Sequence, residues 1–294
     1  MAGRGKRCNR ASARFWLAGL LLFPLTACGG HKEEPRAAAN TQSTAAADKP
    51  APESTAPVAV DPHLNQSFAD ATLAEPPVGD LRPPETTLTG KSVGRLYEQV
   101  VKIWDTIKLV DEHGKPLIYR AILDTDLGTI EITLRPDLAP NHVRSFIALA
   151  KAGYYDGLVF ERTDHGASAD DASEIEFIEA GCPLGTGEMG YGSIGYWLKP
   201  EFHPNAINED GSVGAITGED SDTSSCKFYI ACCSMPSWDQ HRSVFGKVTQ
   251  GLDVAHRILS LPVRNDSPEG DLPLKPVVIR KVVIMSEVEK AGVN

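Results

Sequence analysis

Arg162 directly follows an apolar run, LVFE, and a second apolar segment begins at Phe177 after a long acidic stretch. A guanidinium group stays charged at any physiological pH and presents several N–H donors in one plane. An arginine fixed on a strand beside an apolar pocket could therefore donate hydrogen bonds to a bound group. The alternative is a surface arginine that pairs with Glu161 or with an aspartate of the acidic stretch.

The segments around Arg162 read as short strands. Apolar runs bounded by Gly, Asp and Ser follow one another after Gly157, and they read LVF, EFIEAG, GAI, KFYIACC and SVFGKV. The runs AILDT and TIEITL, joined by Asp126-Leu127-Gly128, predict a hairpin before them, and VVIRKVVIM predicts a last strand. Many short strands with two helices indicate a mainly β protein, a closed barrel capped by helices.

Two helices should cap this barrel, and a third should precede it. RPDLAPNHVRSFIALAKAGYY places Pro140 in a first helical turn and Gly153 at the end, and LDVAHRIL predicts a second short helix. SVGRLYEQVVKIWDT has apolar residues at helical spacing. IKLV and PLIYRAIL, separated by a turn at residues 111–114, predict an additional hairpin. We therefore expect an N-terminal extension at residues 87–118, a barrel domain at 119–286 and a tail at 287–294.

The first 86 residues have the composition of targeting and tether segments. Residues 1–27 combine a basic stretch with the apolar run FWLAGLLLFPL, which is too short to span a bilayer of about 30 Å and is typical of a signal peptide. Residues 28–86 are rich in Ala, Pro, Thr, Ser and Glu and lack a hydrophobic period. Such a segment cannot bury enough apolar surface to offset its chain entropy, so we expect a disordered tether.

The residues Leu25-Thr26-Ala27-Cys28 resemble the lipobox of bacterial lipoproteins. That resemblance implies cleavage before Cys28 and acylation of its thiol. A chance cysteine after an ordinary signal peptide is the alternative. Several acyl chains on one residue give stable anchoring, so we expect a membrane-anchored lipoprotein on the extracytoplasmic side, in the cell envelope.

Composition excludes some partners. The chain has 294 residues, of which 41% are hydrophobic and 23% charged, as in an ordinary globular protein. Its formal net charge is −10, and residues 1–27 contribute only positive charge. Because phosphate contacts require a basic surface, we expect no nucleic-acid partner. The cysteines show no CxxC spacing, so no metal site is expected.

The stretch DTDLGTIEITLRPDLAPNHVRSFIALAKAGYYDGLVFER resembles the opening of the cyclophilin-type peptidyl-prolyl isomerases. FIEAG, KFYIACC, VFGKVTQGLDVAHRI and VVIRKVVI follow in the family's order. The resemblance covers residues 119–285 and implies a closed eight-stranded antiparallel cyclophilin-like barrel, capped by two helices, with a proline-binding groove on its outer face. It also implies cis-trans isomerisation of X-Pro bonds without a cofactor, on proline-containing polypeptides.

The resemblance assigns roles to individual residues. Arg162 is implied to be catalytic, as the donor that hydrogen-bonds the prolyl nitrogen in the twisted transition state. The residues implied to bind the substrate are Phe177, Ile178, Ala180, Thr217, Lys227, Tyr229, Trp238 and Arg242.

Several of these residues depart from the family's pattern. Ala180 and Lys227 stand where the family usually has glutamines, Tyr229 where it has a phenylalanine, and Arg242 where it has a histidine. The groove's Trp-Leu pair aligns with Ser237 and Trp238. Additional cations should repel Arg162, and either Glu179 or the acidic stretch could compensate.

Fourteen residues, TDHGASADDASEIE, separate Arg162 from Phe177, where the family has about four. We expect them to form an acidic loop at residues 163–176 that interrupts the strands. It is either a solvated surface insertion or an overhang that makes the groove favour basic peptides. Its spacing lacks the oxygen-ligand pattern of a Ca²⁺ site, and His165 is expected to be solvated.

The family's fold brings Cys182 and Cys226 close together. From this we hypothesise a disulfide between them that replaces the missing glutamine support. Cys232 and Cys233 are neighbours and would point to opposite faces of a strand, one toward the core and one toward the surface.

The resemblance thus predicts a prolyl isomerase that assists the folding of exported proteins. A catalytically weak or inactive proline-binding or chaperone lipoprotein with the same barrel is the alternative from another functional class. Arg162, Phe177 and Ile178 favour the enzyme, whereas Ala180, Lys227 and Ser237 favour the binding module.

Overall fold

The structure is a computed structural model in which residue 64 and residues 66–77, 82–167, 174–188, 193–218, 221–264 and 272–287 are described. All of them belong to the unit that spans residues 56–294. The signal peptide and Cys28 lie outside the described residues, as do the tip of the acidic stretch at 168–173 and most of the tail. None of the described helices is long and apolar enough to cross a membrane.

Four α-helices and twelve strands follow one another along the described chain. In chain order they are α1 (Phe68–Ala71), β1 (Thr72–Leu73), α2 (Val93–Trp104), β2 (Ile118–Thr125), β3 (Gly128–Leu134), α3 (Pro140–Lys151), β4 (Val159–Ala167), β5 (Glu174–Ala180), β6 (Trp197–Leu198), β7 (Ser212–Ala215), β8 (Phe228–Ala231), β9 (Val244–Gln250), α4 (Leu252–Leu259), β10 (Val263–Arg264), β11 (Leu272–Pro273) and β12 (Val277–Glu287).

Eight of these strands close into an antiparallel barrel in the order β12-β2-β3-β9-β7-β8-β5-β4. The pairing of Val277 and Val278 in β12 with Phe160 and Val159 in β4 joins the two ends of the sheet. Closure removes free sheet edges and leaves each strand with one face toward the interior and one toward the outside. The predicted fold class, a closed eight-stranded barrel, is confirmed.

The helix α3 closes one end of the barrel and is buried along nearly its whole length, from Pro140 to Ala150. Pro140 occupies the first turn, where its missing N–H leaves no hydrogen bond unmade. The Glu201 carboxylate accepts the backbone N–H groups of Asn141 and His142, at 3.0 and 2.9 Å. The helix therefore begins where the sequence predicts, and its cap is a side chain far along the chain.

The interior of the barrel is filled by aromatic rings from α3 and from several strands. Phe146 lies with its centroid 5.0 Å from Tyr155, 5.5 Å from Phe228 and 5.4 Å from Phe245. Such pairs stabilise a core beyond the area that they bury. These contacts fix the spacing between α3 and the strands that carry the outer groove.

The ordered part of the chain begins earlier than the predicted boundary at residue 86. The strand β1 pairs with β6, and Phe68 in α1 lies 5.4 Å from Trp104 and 5.1 Å from Tyr196. The Gln66 carbonyl oxygen also accepts hydrogen bonds from Trp104 Nε1 at 3.1 Å and Arg144 Nη1 at 2.9 Å. The segment shows no hydrophobic period, because the residues that hold it come from elsewhere in the chain.

Two other predictions of local structure need correction. The hairpin predicted at residues 107–118 is reduced to one bridge between Val110 and Pro116, since β2 pairs with β3 and β12 instead. The acidic stretch does not interrupt the strands directly after Arg162. The strand β4 continues to Ala167 and β5 begins at Glu174, so most of the insertion lengthens the β4–β5 hairpin.

Candidate functional site

A groove of about 300 Å³ lies on the outer face of β4 and β5. Its wall is completed by residues after β7 and by the segment that follows β8. The residues that line it are Arg162, Asp164, Gly166, Ile175, Phe177, Ile216, Thr217, Trp238 and Arg242.

The antiparallel register of β4 and β5 places alternate residues on the groove face. Arg162 pairs with Glu179, Asp164 with Phe177 and Gly166 with Ile175. Successive side chains of a strand point to opposite faces, so these three pairs share one face. The lengthened hairpin adds the pair Gly166 and Ile175 to this face, next to the pair Asp164 and Phe177. The groove is longer as a result.

Two carboxylates and one aromatic ring hold Arg162 in the groove. Its Nη2 donates to Asp164 Oδ2 at 2.6 Å and its Nη1 to Glu179 Oε2 at 3.4 Å. The guanidinium carbon lies 5.2 Å from the centroid of the Phe177 ring. The side chain is 21% exposed, so its remaining Nη hydrogens can meet a ligand in the groove.

The floor of the groove is aromatic. The Trp238 ring centroid lies 5.1 Å from those of Phe177 and Tyr229. Tyr229 is buried beneath the other two rings, and its hydroxyl donates to Asn208 Oδ1. The result is an apolar surface directly beside the Arg162 guanidinium.

Arg242 is the second cation of the groove. Its Nη1 donates to Thr217 Oγ1 at 2.8 Å, and its guanidinium carbon lies 4.9 Å from the Trp238 ring centroid. Desolvation by burial lowers the pKa of the Arg242 guanidinium. Arg242 and Trp238 are therefore held against each other at the end of the aromatic floor.

The structure brings some predicted site residues together and separates others. Arg162, Phe177, Thr217, Trp238 and Arg242 line the groove. Four do not, and they are Ile178, Ala180, Lys227 and Tyr229.

The reason for each exclusion is strand alternation or burial. Ile178 and Ala180 are fully buried in the main core, because alternation along β5 turns them inward. Tyr229 supports the floor from below. Lys227 is 3% exposed and reaches a carboxylate inside the barrel wall.

Lys227 forms a buried ion pair with Glu179. Its Nζ also donates to the Gly187 carbonyl oxygen at 3.2 Å. Desolvation acts to lower the pKa of the Lys227 ammonium, but attraction to Glu179 and Glu161 outweighs it and raises that pKa above its usual value. Lys227 therefore does not repel Arg162, since Glu179 lies between them and contacts both.

A second buried carboxylate, Glu161, lies beside this pair. Its Oε1 accepts the backbone N–H of Cys182 at 2.7 Å, and its Oε2 has no hydrogen-bond partner among the described residues. Desolvation, and then repulsion from Glu179, raise the pKa of Glu161 well above its usual value, although Lys227 opposes the shift. The protonated form of Glu161 is therefore favoured in the folded protein.

The disulfide hypothesised between Cys182 and Cys226 is not present, since both residues are free thiols. Cys226 Sγ accepts a hydrogen bond from the Tyr154 hydroxyl at 3.2 Å, and Cys182 Sγ lies 3.8 Å from Thr186 Oγ1. Burial raises the pKa of the Cys226 thiol to about 12. The backbones do approach closely here, because a Cβ on Gly181 would lie 2.2 Å from the Cys226 oxygen.

The neighbouring cysteines have the environments predicted for them. Cys232 is buried and Cys233 is partly exposed.

Sequence reasoning missed several residues of the groove. Asp164, Ile175 and Ile216 line it, and the strand period of two around Arg162 and Phe177 could have identified the first two. Ile216 follows β7, and its approach to the groove depends on barrel closure.

The opposite face of the lengthened hairpin contacts α4. The His165 ring lies 3.2 Å from Glu176 Oε1 and 3.0 Å from the Leu259 carbonyl oxygen. The His165 side chain is nevertheless 44% exposed, so it is solvated as predicted and also contacts α4. Among the residues that the structure describes, no group of His, Cys, Asp or Glu could hold a metal ion.

Comparisons with known proteins find relatives over the residues that form the barrel. The family model described as "Cyclophilin type peptidyl-prolyl cis-trans isomerase/CLD" matches residues 120–284. The peptidyl-prolyl cis-trans isomerase ppi1 of Schizosaccharomyces pombe is 32% identical over 163 residues, which cover 55% of this chain and 97% of that protein.

Other relatives are longer proteins. The peptidyl-prolyl cis-trans isomerase cyp15 of Rhizopus delemar is 32% identical over 176 residues, which cover 60% of this chain. The chain spans 26% of cyp15 and 30% of a mouse peptidylprolyl isomerase domain and WD repeat-containing protein. A crystal structure of a cyclophilin type isomerase from Cryptosporidium parvum shares the fold with a TM-score of 0.50 and 22% identity, and the match covers 58% of this chain and 99% of that one.

Replacing Lys227 with glutamine should leave the buried Glu179 carboxylate without its ammonium partner, with Arg162 as its remaining cation. We expect the free energy of unfolding, measured by urea denaturation, to fall by about 3 kcal/mol. The double variant Lys227→Gln with Glu179→Gln removes both charges at similar volume and should recover most of this loss. Equal instability of the single and double variants would show that the charge pair is not what matters.

Glu161→Gln tests the raised pKa of the buried carboxyl. An acid whose pKa is higher in the folded state stabilises below its unfolded pKa, here the usual value of 4.5, and this contribution is lost as pH rises. The free energy of unfolding of the variant should therefore be similar to that of the wild type at about pH 4 and exceed it increasingly as pH rises to about 8. A difference that does not change with pH would contradict this assignment.

Proposed function

Because the chain belongs to the cyclophilin-type peptidyl-prolyl cis-trans isomerase family, we propose that it catalyses cis-trans isomerisation of X-Pro bonds in polypeptides. The observation that carries the proposal is the position of Arg162, fixed by Asp164 and Glu179 at the edge of an aromatic groove. The groove offers an apolar surface for a proline ring and a cation beside it.

The reaction needs no covalent chemistry. The barrier to rotation about an amide bond is about 18–20 kcal/mol, because the nitrogen lone pair is delocalised into the carbonyl. At the twisted transition state that conjugation is lost, and the prolyl nitrogen becomes a hydrogen-bond acceptor. A donor placed there interacts more strongly with the transition state than with the planar ground state, which is the condition for catalysis.

In this mechanism the Phe177 and Trp238 rings contact the proline ring, and a remaining Nη hydrogen of Arg162 is donated to the prolyl nitrogen. Both carboxylates that hold Arg162 lie on the strand face of the groove and fix the orientation of the guanidinium before the substrate binds. Such preorganisation avoids reorientation of the donor during the reaction. Glu179, supported by Lys227, takes the part that the sequence resemblance gave to a glutamine at Ala180.

A proline-binding module without catalysis is the second candidate. The observation that favours it is the short contact between Arg162 and Asp164, which draws hydrogen-bond donors away from the groove. In that case the groove would bind proline segments with no change in their isomerisation rate.

Arg162→Ala distinguishes the two candidates. We expect kcat/KM for short X-Pro peptides to fall by about 100-fold or more, the loss seen when one transition-state donor is removed. Arg162→Lys keeps the charge but not the planar donor geometry, and it should recover only part of the activity. The exposed Arg95 in α2 provides the control, since Arg95→Gln changes the net charge equally. An inactive wild type that still binds proline peptides would establish the binding module.

We also propose that the protein is an envelope lipoprotein, anchored through Cys28, that assists the folding of exported polypeptides. The support is the sequence of residues 1–28, with its basic stretch, apolar run and small residues before a cysteine. The Ala- and Pro-rich segment that follows would hold the catalytic domain away from the bilayer.

Cys28→Ser tests the anchor. In bacterial cells the full-length wild type should sediment with the membrane fraction, and its N-terminal peptide should carry the mass of several acyl chains. Because acylation requires the thiol, the variant should lack that mass and move largely to the soluble fraction. Cys8→Ser is the matched control and should leave both results unchanged. Unmodified Cys28 in the wild type would contradict the proposal.

A further inference from the structure

Arg242 is a charged residue of the groove for which the described part of the chain supplies no carboxylate. Its contacts are the Thr217 hydroxyl at 2.8 Å, the His241 carbonyl oxygen at 3.4 Å and the face of the Trp238 ring at 4.9 Å. Its Nε is buried and has no acceptor among the described residues. Thr217 and Trp238 therefore hold the guanidinium in place, and an ion pair does not.

Two described carboxylates in or beside the groove, Asp164 and Asp239, are engaged elsewhere. Asp164, the acidic residue among the groove-lining residues, is bound by Arg162. Asp239, which lies near Arg242 in sequence, accepts the backbone N–H of Asn208 at 2.7 Å and the Asn208 side-chain amide at 3.2 Å. The lining of the groove thus carries two guanidinium groups and one carboxylate.

This arrangement differs from that of Arg162 in one respect. Arg162 has two carboxylate partners, whereas Arg242 has none among the described residues, and its burial, opposed only by Tyr229, lowers its pKa. A partly buried cation gains most from an anion that enters the same poorly hydrated site. The Nη2 of Arg242 carries two N–H donors, and no described residue accepts from them.

We propose that Arg242 is a specificity-determining residue, which selects substrates that carry a carboxylate beside the proline. The carboxylate is either the side chain of Asp or Glu next to the proline or the C-terminal carboxylate of a polypeptide that ends there. The inference rests on the proposed function of this groove, and it names the chemical class of the preferred substrate.

The acidic stretch predicts the opposite preference, for basic peptides. Of its carboxylates, Asp164 is paired with Arg162, and Glu176 is paired with His165 on the face away from the groove. Glu174 is exposed and lies on the same strand face as Glu176, so none of the described acidic residues of the stretch offers a free carboxylate to the groove.

The test compares matched peptides with the purified full-length protein. The series is Ala-Ala-Pro-X and Ala-X-Pro-Ala with X as Glu, Gln or Lys, each as the C-terminal amide, together with Ala-Ala-Pro as the free acid and as the amide. The peptides with variable X test the side-chain carboxylate alone, because their C-termini are amidated. The free acid and the amide of Ala-Ala-Pro test the C-terminal carboxylate. We expect kcat/KM to be roughly 10-fold or more higher for at least one carboxylate peptide than for its neutral match, the lower end of the range for a hydrogen bond to a charged group.

Variants assign this preference to Arg242. In Arg242→Gln the ratio of kcat/KM for a carboxylate peptide to kcat/KM for its neutral match should fall to about one. Arg242→Lys should keep part of the preference because the charge remains. Arg95→Gln, a charge-matched change outside the groove, should keep the wild-type ratio. Added salt should reduce the ratio in the wild type and leave it unchanged in Arg242→Gln.

Two results would overturn the inference. One is a kcat/KM ratio of one for every pair of carboxylate and neutral peptides in the wild type. The other is a preference for carboxylate peptides that survives in Arg242→Gln. Failure of the proposed function looks different, since then no peptide would be accelerated by the wild type. In that case titration of the same peptides, followed by intrinsic tryptophan fluorescence, to which Trp238 in the groove contributes, still decides the inference, because carboxylate peptides should bind more tightly to wild type than to Arg242→Gln.

Discussion

Glu179 and Lys227 form an ion pair inside the barrel wall, and the geometry of the groove depends on it. Glu179 is fully buried and contacts Lys227 on one side and Arg162 on the other. A buried charge is tolerated only when it is paired, so each of these residues constrains the other two. The orientation of Arg162 is thus linked to a residue of the segment before β8, on the far side of β5.

The closed barrel makes this arrangement possible. Each strand of the wall has one apolar face toward the interior and one face that can carry polar groups outward. Along β5, Ile178 and Ala180 fill the core, while Phe177 and Glu179 belong to the groove and its support. The same strands therefore stabilise the fold and position the site, and a change on one face affects the other only through the backbone.

The groove differs from the sequence expectation in its charges. Two residues that depart from the family's pattern have fixed positions. Lys227 is buried inside the barrel wall, and the Arg242 guanidinium lies against the Trp238 ring. The lengthened β4–β5 hairpin adds surface to the groove and is fastened to α4 through His165. These features give one binding surface with an apolar floor, a neutralised arginine and an arginine without a carboxylate partner among the described residues.

The sequence by itself determined the order of the eight barrel strands and of the helices α2 to α4, the closed barrel and the strand position of Arg162. Strand and helix periods are local properties, and the motif order around Arg162 and Phe177 is contained in the chain. Tertiary structure alone decided which residues face the groove, which carboxylates hold Arg162, and that Cys182 and Cys226 are free thiols. Those contacts join segments that are distant in the chain, and their geometry depends on barrel closure and on the packing of Phe146, Tyr155 and Phe228, for which no local pattern gives distances.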